Sequence, residues 1–170
     1  EAKLAKIADY EPTRPRLVSG TATGTGQVIV VAGVAAANAR DIIKERNLDI
    51  PVYQVVQPFP LHKSFIDEME GYDEILVLEE TWGVIEMQLA DKKRVKGKNT
   101  GFISPVGELL PENVEERICA FSDLEYQAPQ ITMLPGRRPT LCAGCPHRAS
   151  FYAIKKVAPK GIFTSDIGCY

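Results

Sequence analysis

The chain has 170 residues, of which 45% are hydrophobic and 25% are charged, a mixture that is typical of globular proteins and excludes a disordered or low-complexity chain. Lysine and arginine total 20 while aspartate and glutamate total 22, so the net charge of −2 provides no basic field for nucleic acid. No apolar run approaches the roughly 18 residues needed to span a bilayer. We therefore expect neither nucleic acid nor a membrane among its partners.

The first part of the chain alternates between strand-like and helix-like segments after a polar start. Residues 1–26 are rich in proline and small residues, which predicts a linker or the end of a preceding domain. Strand alternating with helix three times then predicts a parallel α/β sheet. The predicted strands are 27–32, 51–56 and 74–79, and the predicted helices are 34–46, 62–70 and 83–90.

Less regular sequence follows, and then a second unit. We interpret the basic run at 91–99 as a solvated turn, with a phosphate-contacting loop as the alternative. Pro111 opens another helix, because proline suits the first helical position. Beyond a proline-rich linker, a helix is expected at 146–157, with Phe151, Ile154 and Val157 spaced for burial, and a strand at 161–164.

The ends of the predicted strands hold a few polar and aromatic residues of interest. Glu79 and Glu80 close the third strand, and adjacent residues there face opposite ways, so we expect at most one of them in a cleft. Trp82 is expected to pack, and His62 is assigned to a loop. Gly33 follows the first strand, but the G-x-G-x-x-G fingerprint is absent, which argues against a Rossmann nucleotide site.

Three of the four cysteines have a spacing that suggests chemistry: Cys142, Cys145 and Cys169 form C-x2-C-x23-C. They could bind an iron–sulfur cluster, whose fourth ligand would be Cys119 or a residue outside this chain. They could bind zinc together with His147. The C-x2-C pair at a helix start could also be a thiol–disulfide pair, and buried unreactive thiols remain an equal alternative.

Polar residues near these cysteines are candidates for binding an anionic ligand. His147 and Arg148 lie on the first turn of the predicted helix, where an anion could bind, although a solvent-facing pair is the simpler interpretation. Asp166 and Cys169 follow the predicted strand at 161–164, and ligands collect at the carboxyl ends of strands in open α/β sheets.

Two sequence blocks resemble a known family. Leu141–Lys156 reads L-C-A-G-C-P-H-R-A-S-F-Y-A-I-K-K, and Thr164–Tyr170 reads T-S-D-I-G-C-Y. They are similar to L-C-P-G-C-P-H-R-A and G-D-I-G-C-Y in the alpha subunit of indolepyruvate:ferredoxin oxidoreductases, with Ala143 and Ser165 as departures. The upstream blocks V-V-A-G-V-A, E-I-L-V-L-E-E and G-K-N-T-G-F extend the resemblance to about residues 27–170.

The resemblance implies an α/β chain with two domains. Residues 27–122 correspond to a small parallel-sheet, transketolase-C-terminal-like domain, and 123–140 to a linker. Residues 141–170 correspond to the incomplete start of a thiamine-diphosphate-binding domain. His147, Arg148, Asp166, Gly168 and Cys169 are then expected to bind the cofactor. By analogy with related 2-oxoacid oxidoreductases, the metal ligands would be the three cysteines of the C-x2-C-x23-C pattern.

For the parent enzyme the resemblance implies oxidative decarboxylation of indolepyruvate and other aryl 2-oxo acids to acyl-CoA. The implied cofactors are thiamine diphosphate, Mg²⁺ and [4Fe–4S] clusters, CoA is the co-substrate, and the partners are a beta subunit and ferredoxin in the cytoplasm. The family's activating glutamate lies upstream and its Mg²⁺-binding motif downstream. No catalytic residue is therefore assigned here, and the piece alone is expected to be inactive. The alternative is an α/β binding module with a C-x2-C metal site.

Overall fold

The computed structural model describes residues 2–80, 82–91, 93–130 and 141–164 of the chain. These residues fall into two compact units, Glu1–Pro129 and Gln130–Tyr170. The first unit contains a sheet with helices, and the described residues of the second contain one helix. No helix among the described ranges is both long and apolar enough to cross a membrane.

A five-stranded mixed sheet organises the first unit. Strands β2 to β5 run parallel, while β1 is antiparallel to its neighbour β3, and the order across the sheet is β1-β3-β2-β4-β5. The α/β class is therefore confirmed, although the sheet is mixed and not purely parallel. The strands are β1 Arg16–Ser19, β2 Gln27–Ala32, β3 Val52–Val55, β4 Glu74–Leu78 and β5 Val95–Lys96.

Six α-helices accompany the sheet within the described residues. The helices predicted at 34–46, 62–70 and 83–90 are present, and each begins and ends within two residues of its expected bounds. The helices are α1 Ala2–Ala8, α2 Ala35–Glu45, α3 Lys63–Met69, α4 Val84–Gln88, α5 Pro111–Phe121 and, in the second unit, α6 Pro146–Val157.

The central strand β2 forms the middle of the core because both of its faces are covered. Its residues Ile29 and Val31 pack with α2 and α5, whereas Val28 and Val30 pack with α3 and α4. All four side chains are fully buried. This two-sided burial explains why the strand is a continuous apolar run, as parallel strands between two helical layers usually are.

The order in which the strands are added to the sheet reverses at β2. The chain places β3 on one side of β2 and then β4 on its other side. The carboxyl ends of these three parallel strands therefore lie at one edge. We call it the carboxyl edge, formed by residues 33–34, 56–60, 79–80 and 82–83. In open α/β sheets this is the position at which ligands bind.

Part of the segment predicted as a linker forms secondary structure. Residues 16–19 are β1, which pairs with β3. The register of this pairing shifts between Leu17 and Ser19. Arg14 strengthens the attachment, because its Nη2 donates to Glu68 Oε2 at 3.0 Å. The sequence did not reveal β1 because the strand is short, has no fully buried residue and lies close to prolines.

The prediction of a solvated turn at 91–99 is only partly confirmed, since residues 93–94 form a turn with residues 91 and 93 exposed, but the run also enters the core. It contains β5, and Val95 is buried against β4. Lys98 is also buried. The aliphatic stems of lysine pack against apolar surface, so a high lysine count did not exclude burial.

The second unit differs from prediction in two ways. Residues 161–164 form no strand, because no neighbouring strand among the described residues pairs with them. Phe151, Ile154 and Val157 have the expected helical spacing on α6 but are exposed, at 46%, 46% and 87%. A helix needs a second layer to bury its apolar face, and no such layer covers α6 among the described residues.

Gly20, just after β1, should tolerate alanine less well than Gly24. Both have left-handed φ angles, +73° and +69°, but a Cβ at Gly20 would lie 2.6 Å from the carbonyl oxygen of Ile50, whereas one at Gly24 would meet nothing within 4 Å. We expect Gly20→Ala to cost about 2–5 kcal/mol and Gly24→Ala only about 1–2 kcal/mol in the free energy of unfolding. Urea denaturation of the two variants measures the difference. Equal losses in the free energy of unfolding would show that Gly20 is not packed closely against the backbone of Ile50.

Candidate functional site

The C-x2-C pair forms a closed turn immediately before α6. The backbone N–H of Cys145 donates to the carbonyl of Cys142 at 3.2 Å, and Gly144 has a φ of +75°, which glycine adopts without strain. Cys145 is the N-cap residue of α6 and Pro146 is the first helical residue. The turn thus places two free thiols, one exposed and one half-buried, at the positive end of a 12-residue helix.

The first turn of α6 adds a histidine and an arginine to the thiols. His147 Nδ1 lies 3.4 Å from Cys145 Sγ. Arg148 is exposed, and the first turn contains no acidic residue. Thiols and imidazole are ligands for soft or borderline metals, and a cation at a helix N-terminus favours an anionic ligand. The structure therefore brings together four of the predicted site residues.

The other predicted site residues lie outside the described residues. They are Asp166, Gly168 and Cys169, so their roles remain predictions. In the described part of the chain, no group of three or more histidine, cysteine or acidic side chains is arranged to hold a metal ion. The fourth cysteine, Cys119, is buried on α5 within the core of the first unit, where burial raises the pKa of its thiol.

At the carboxyl edge, Glu79 caps a helix from inside the protein. Its side chain is buried, and its two oxygens accept hydrogen bonds from the backbone N–H groups of Ile85 at 2.9 Å and Glu86 at 3.0 Å, in the first turns of α4. Burial raises the pKa of Glu79, and these hydrogen bonds only partly oppose the shift. As predicted, the two adjacent side chains separate: Glu79 is buried and holds the start of α4, whereas Glu80 is exposed.

A second buried carboxylate, Glu86, was not identified from the sequence. It accepts hydrogen bonds from the backbone N–H groups of Asn99 at 2.6 Å and Thr100 at 3.0 Å, and so it holds the loop after β5. A Cβ at Gly97 would lie 2.7 Å from the Glu86 carboxyl group, so a side chain there would displace that carboxyl group from its two N–H donors. The G-K-N-T-G stretch was the available signal, because its small and polar residues expose backbone donors.

Trp82 does not pack into the core, contrary to prediction. It is 81% exposed, and Val34 and Val56, which follow the neighbouring parallel strands, are exposed as well. Glu80 is exposed beside it and accepts a hydrogen bond from Leu109 N–H at 3.1 Å. Trp82 lies in the short connection between β4, which ends at Leu78, and α4, which begins at Val84.

His62 is more than a loop residue. It is buried, its Nδ1 lies 2.9 Å from Ser64 Oγ, and its Nε2 lies 3.6 Å from a carboxylate oxygen of Glu11. These contacts connect the start of α3 to the N-terminal segment. His62 therefore supports the attachment of that segment and does not belong to the site at α6.

The fold and the site define an α/β protein with a thiol pair at a helix N-terminus, and its curated relatives are oxidoreductase subunits. The relatives include proteins named indolepyruvate oxidoreductase subunit IorA from Methanothermobacter marburgensis, 28% identical over 99% of this chain, and from Pyrococcus abyssi, 30% identical over 84%. Another, from Archaeoglobus fulgidus, is 29% identical over 99% of the chain. The resemblance to indolepyruvate oxidoreductase alpha subunits is thus confirmed.

The similarity covers only part of each relative. The chain spans 30%, 25% and 29% of the lengths of the relatives from M. marburgensis, P. abyssi and A. fulgidus, respectively. No protein-family model matches the chain, and no solved structure matches it.

The raised pKa of Glu79 predicts a pH-dependent stability. Between the ordinary glutamate pKa of 4.5 and the raised value, the folded state binds more protons than the unfolded state. The free energy of unfolding should therefore fall as pH rises through this window, and Glu79→Gln should remove that part of the slope. Urea denaturation at successive pH values measures it, with Glu80→Gln as the control for losing one negative charge. A slope unchanged in Glu79→Gln would contradict the assignment.

Proposed function

We propose that this chain is part of the alpha subunit of an indolepyruvate:ferredoxin oxidoreductase. The observation that carries the proposal is similarity over 84–99% of the chain to proteins named indolepyruvate oxidoreductase subunit IorA. The arrangement of α6 supports it, because the most family-specific block, C-A-G-C-P-H-R, forms an exposed helix N-terminus that carries thiols and cations.

Within that subunit, we assign residues 27–122 to the transketolase-C-terminal-like domain and 141–170 to the beginning of the thiamine-diphosphate-binding domain. The first assignment is supported by a small, mostly parallel sheet covered on both faces. The second is supported by a helix whose apolar side chains are exposed in this chain, as expected for one layer of a larger α/β domain.

The chemistry of the residues at the start of α6 fits thiamine diphosphate. Arg148 and His147 can contact an anionic diphosphate, since both are exposed on a first helical turn that contains no acid. We propose that Asp166, Gly168 and Cys169 complete this edge of the cofactor site, and that Mg²⁺ accompanies the diphosphate. When bound, the cofactor supplies the carbon that attacks a 2-oxo acid, and the residues of this chain bind and orient it.

The C-x2-C turn fits two ligands of an iron–sulfur cluster. Cys142 and Cys145 are free thiols three residues apart in a closed turn, and we propose Cys169 as a third ligand. In the whole enzyme, clusters would pass electrons to ferredoxin, and CoA would take up the acyl group. The partners that we propose are therefore a beta subunit and ferredoxin, in the cytoplasm, with an aryl 2-oxo acid as substrate.

Anaerobic reconstitution with iron and sulfide tests the metal site on the chain itself. We expect the wild-type chain to gain iron, sulfide and an absorption band of the cluster, and Cys142→Ser to lose most of the bound iron. Cys119→Ala is the matched control, because Cys119 is buried in the other unit and should not be a ligand. Zinc at one ion per chain without iron would instead favour a binding module with a C-x2-C metal site.

A chimera tests the cofactor residues and the activity. Residues 141–170 of this chain would replace the aligned stretch of the relative from Archaeoglobus fulgidus, assembled with its partner subunit. We expect reduction of a viologen dye that depends on indolepyruvate and CoA. Arg148→Ala in the chimera should raise the concentration of thiamine diphosphate needed for half activity by about tenfold, because a charge-assisted contact to phosphate is lost.

The matched control for that substitution is Lys160→Ala, which removes a cation beyond the end of α6. If the folded chimera binds thiamine diphosphate but shows no turnover, the proposed function of residues 141–170 is contradicted. If Arg148→Ala and Lys160→Ala have equal effects, Arg148 does not hold the diphosphate.

A further inference from the structure

A concave region of about 500 Å³, which we call the α3–β5 cavity, lies between α3 and the connection from α4 to β5. All of its walls belong to the first unit, and it lies over the start of β4, at the opposite end of that strand from the carboxyl edge. Because α4 has only five residues, it covers less of this face of the sheet than a full helix would. The volume is within the range of about 300–1,000 Å³ that is typical of small-ligand sites.

The floor of the α3–β5 cavity is apolar. Met69, Ile75 and Leu89 form it, and their side chains belong to the core, with exposures of 1%, 1% and 5%. Ile66 lies beside them and is partly buried. A polar group placed on this floor would lose its water without gaining a hydrogen-bond partner. The floor therefore selects a ligand that carries a hydrophobic side chain or ring.

Arg94 provides a fixed cation on the wall of the cavity. Its Nη1 donates to the carbonyl oxygens of Glu70 at 2.6 Å and Tyr72 at 3.0 Å, whereas its Nε is buried and has no hydrogen-bond partner among the described residues. The side of a guanidinium that carries Nε and Nη2 can bind a carboxylate through two parallel hydrogen bonds. A carboxylate placed there would satisfy a buried donor that otherwise has no acceptor.

Two carboxylates give the rim of the cavity a negative side as well. Glu70 and Asp91 are exposed, and neither forms an ion pair within the described part of the chain. Asp91 is held in place, because its Oδ1 accepts the backbone N–H of Lys93 at 3.0 Å and its carbonyl accepts that of Val95 at 3.0 Å. The two acids outnumber Arg94 at this rim, so a ligand that is purely anionic is disfavoured.

We propose that the α3–β5 cavity binds a free α-amino acid with an apolar side chain. The carboxylate of the ligand contacts Arg94, its ammonium group contacts Asp91 and Glu70, and its side chain covers the floor. An inorganic anion would face two carboxylates and leave the floor uncovered, whereas a metal ion would face the guanidinium. A zwitterion with an apolar part matches all three parts of the cavity. The site belongs to the first unit, and the inference does not depend on the proposed activity.

Calorimetric titration of the full chain with related probes tests the inference. L-Phenylalanine carries all three groups, 3-phenylpropionate lacks the ammonium group, and 2-phenylethylamine lacks the carboxylate. We expect L-phenylalanine to bind with a Kd of about 0.1–1 mM and each of the other two to bind at least about threefold more weakly, since each loses one ionic contact. L-Serine, which lacks the apolar side chain, should not bind measurably. Equal affinity for the three aromatic probes, or no saturable binding of L-phenylalanine up to about 10 mM, would overturn the inference.

Substitutions assign the ionic contacts. Arg94→Gln should weaken L-phenylalanine binding about tenfold and leave 2-phenylethylamine unchanged, because that probe has no carboxylate to lose. Asp91→Asn should weaken L-phenylalanine binding about threefold without weakening 3-phenylpropionate, which has no ammonium group. Lys93→Gln and Asp41→Asn are the matched controls, since each makes the same charge change at an exposed residue that does not line the cavity. Losses that the controls reproduce would contradict the assigned contacts.

Amide NMR spectra locate the bound probe. We expect L-phenylalanine to shift the amide signals of Ile75, Leu89 and Ala90, and changes confined to residues 141–164 would overturn the inference. Circular dichroism checks that Arg94→Gln is folded, because Arg94 also binds two backbone carbonyls. If that variant does not fold, Asp91→Asn and the comparison of probes still decide, since asparagine keeps an oxygen that accepts the N–H at residue 93.

Discussion

The burial of β2 on both faces is the constraint on which the rest of the first unit depends. A parallel strand cannot pair with its neighbours through a tight turn, so each neighbour requires a crossover helix, and each helix must cover one face of the sheet. Val28 and Val30 require the layer of α3 and α4, while Ile29 and Val31 require the layer of α2 and α5. The same arrangement brings the ends of three parallel strands to one edge.

Two buried carboxylates then shape that edge. Glu79 binds the backbone of the short helix α4, and Glu86, carried by that helix, binds the backbone of the loop after β5. Glu79 thus positions α4, and α4 in turn carries Glu86. Burying a carboxylate is costly unless its oxygens accept hydrogen bonds. Here the donors are backbone N–H groups at the start of α4 and in the loop after β5. The two carboxylates therefore connect the end of β4, the helix α4 and the loop after β5.

The sequence predicted the buried elements better than the exposed ones, for a physical reason. β2 and the apolar face of α2 leave a periodic signal because core packing requires it. β1 and β5 leave almost none, since β1 has little burial and β5 has two residues. Trp82 was misjudged because hydrophobicity alone does not show where a turn points. At α6 the sequence predicted the thiol pair and the helix start, whereas the contact of Cys145 with His147 depends on rotamers that no spacing encodes.

The position of β1 in the sheet has a consequence for the order in which hydrogen bonds form and open. β1 precedes β2 in the chain but pairs only with β3, so its partner is not available until the first crossover is complete. Closing that longer loop costs entropy that only a few exposed contacts offset. We therefore expect β1 to join the sheet after β2, α2 and β3 have formed, and to leave it by local opening while β2 and β3 stay paired. When it leaves, β3 becomes the edge strand, and its outer backbone amides exchange with solvent while those of β2 stay protected.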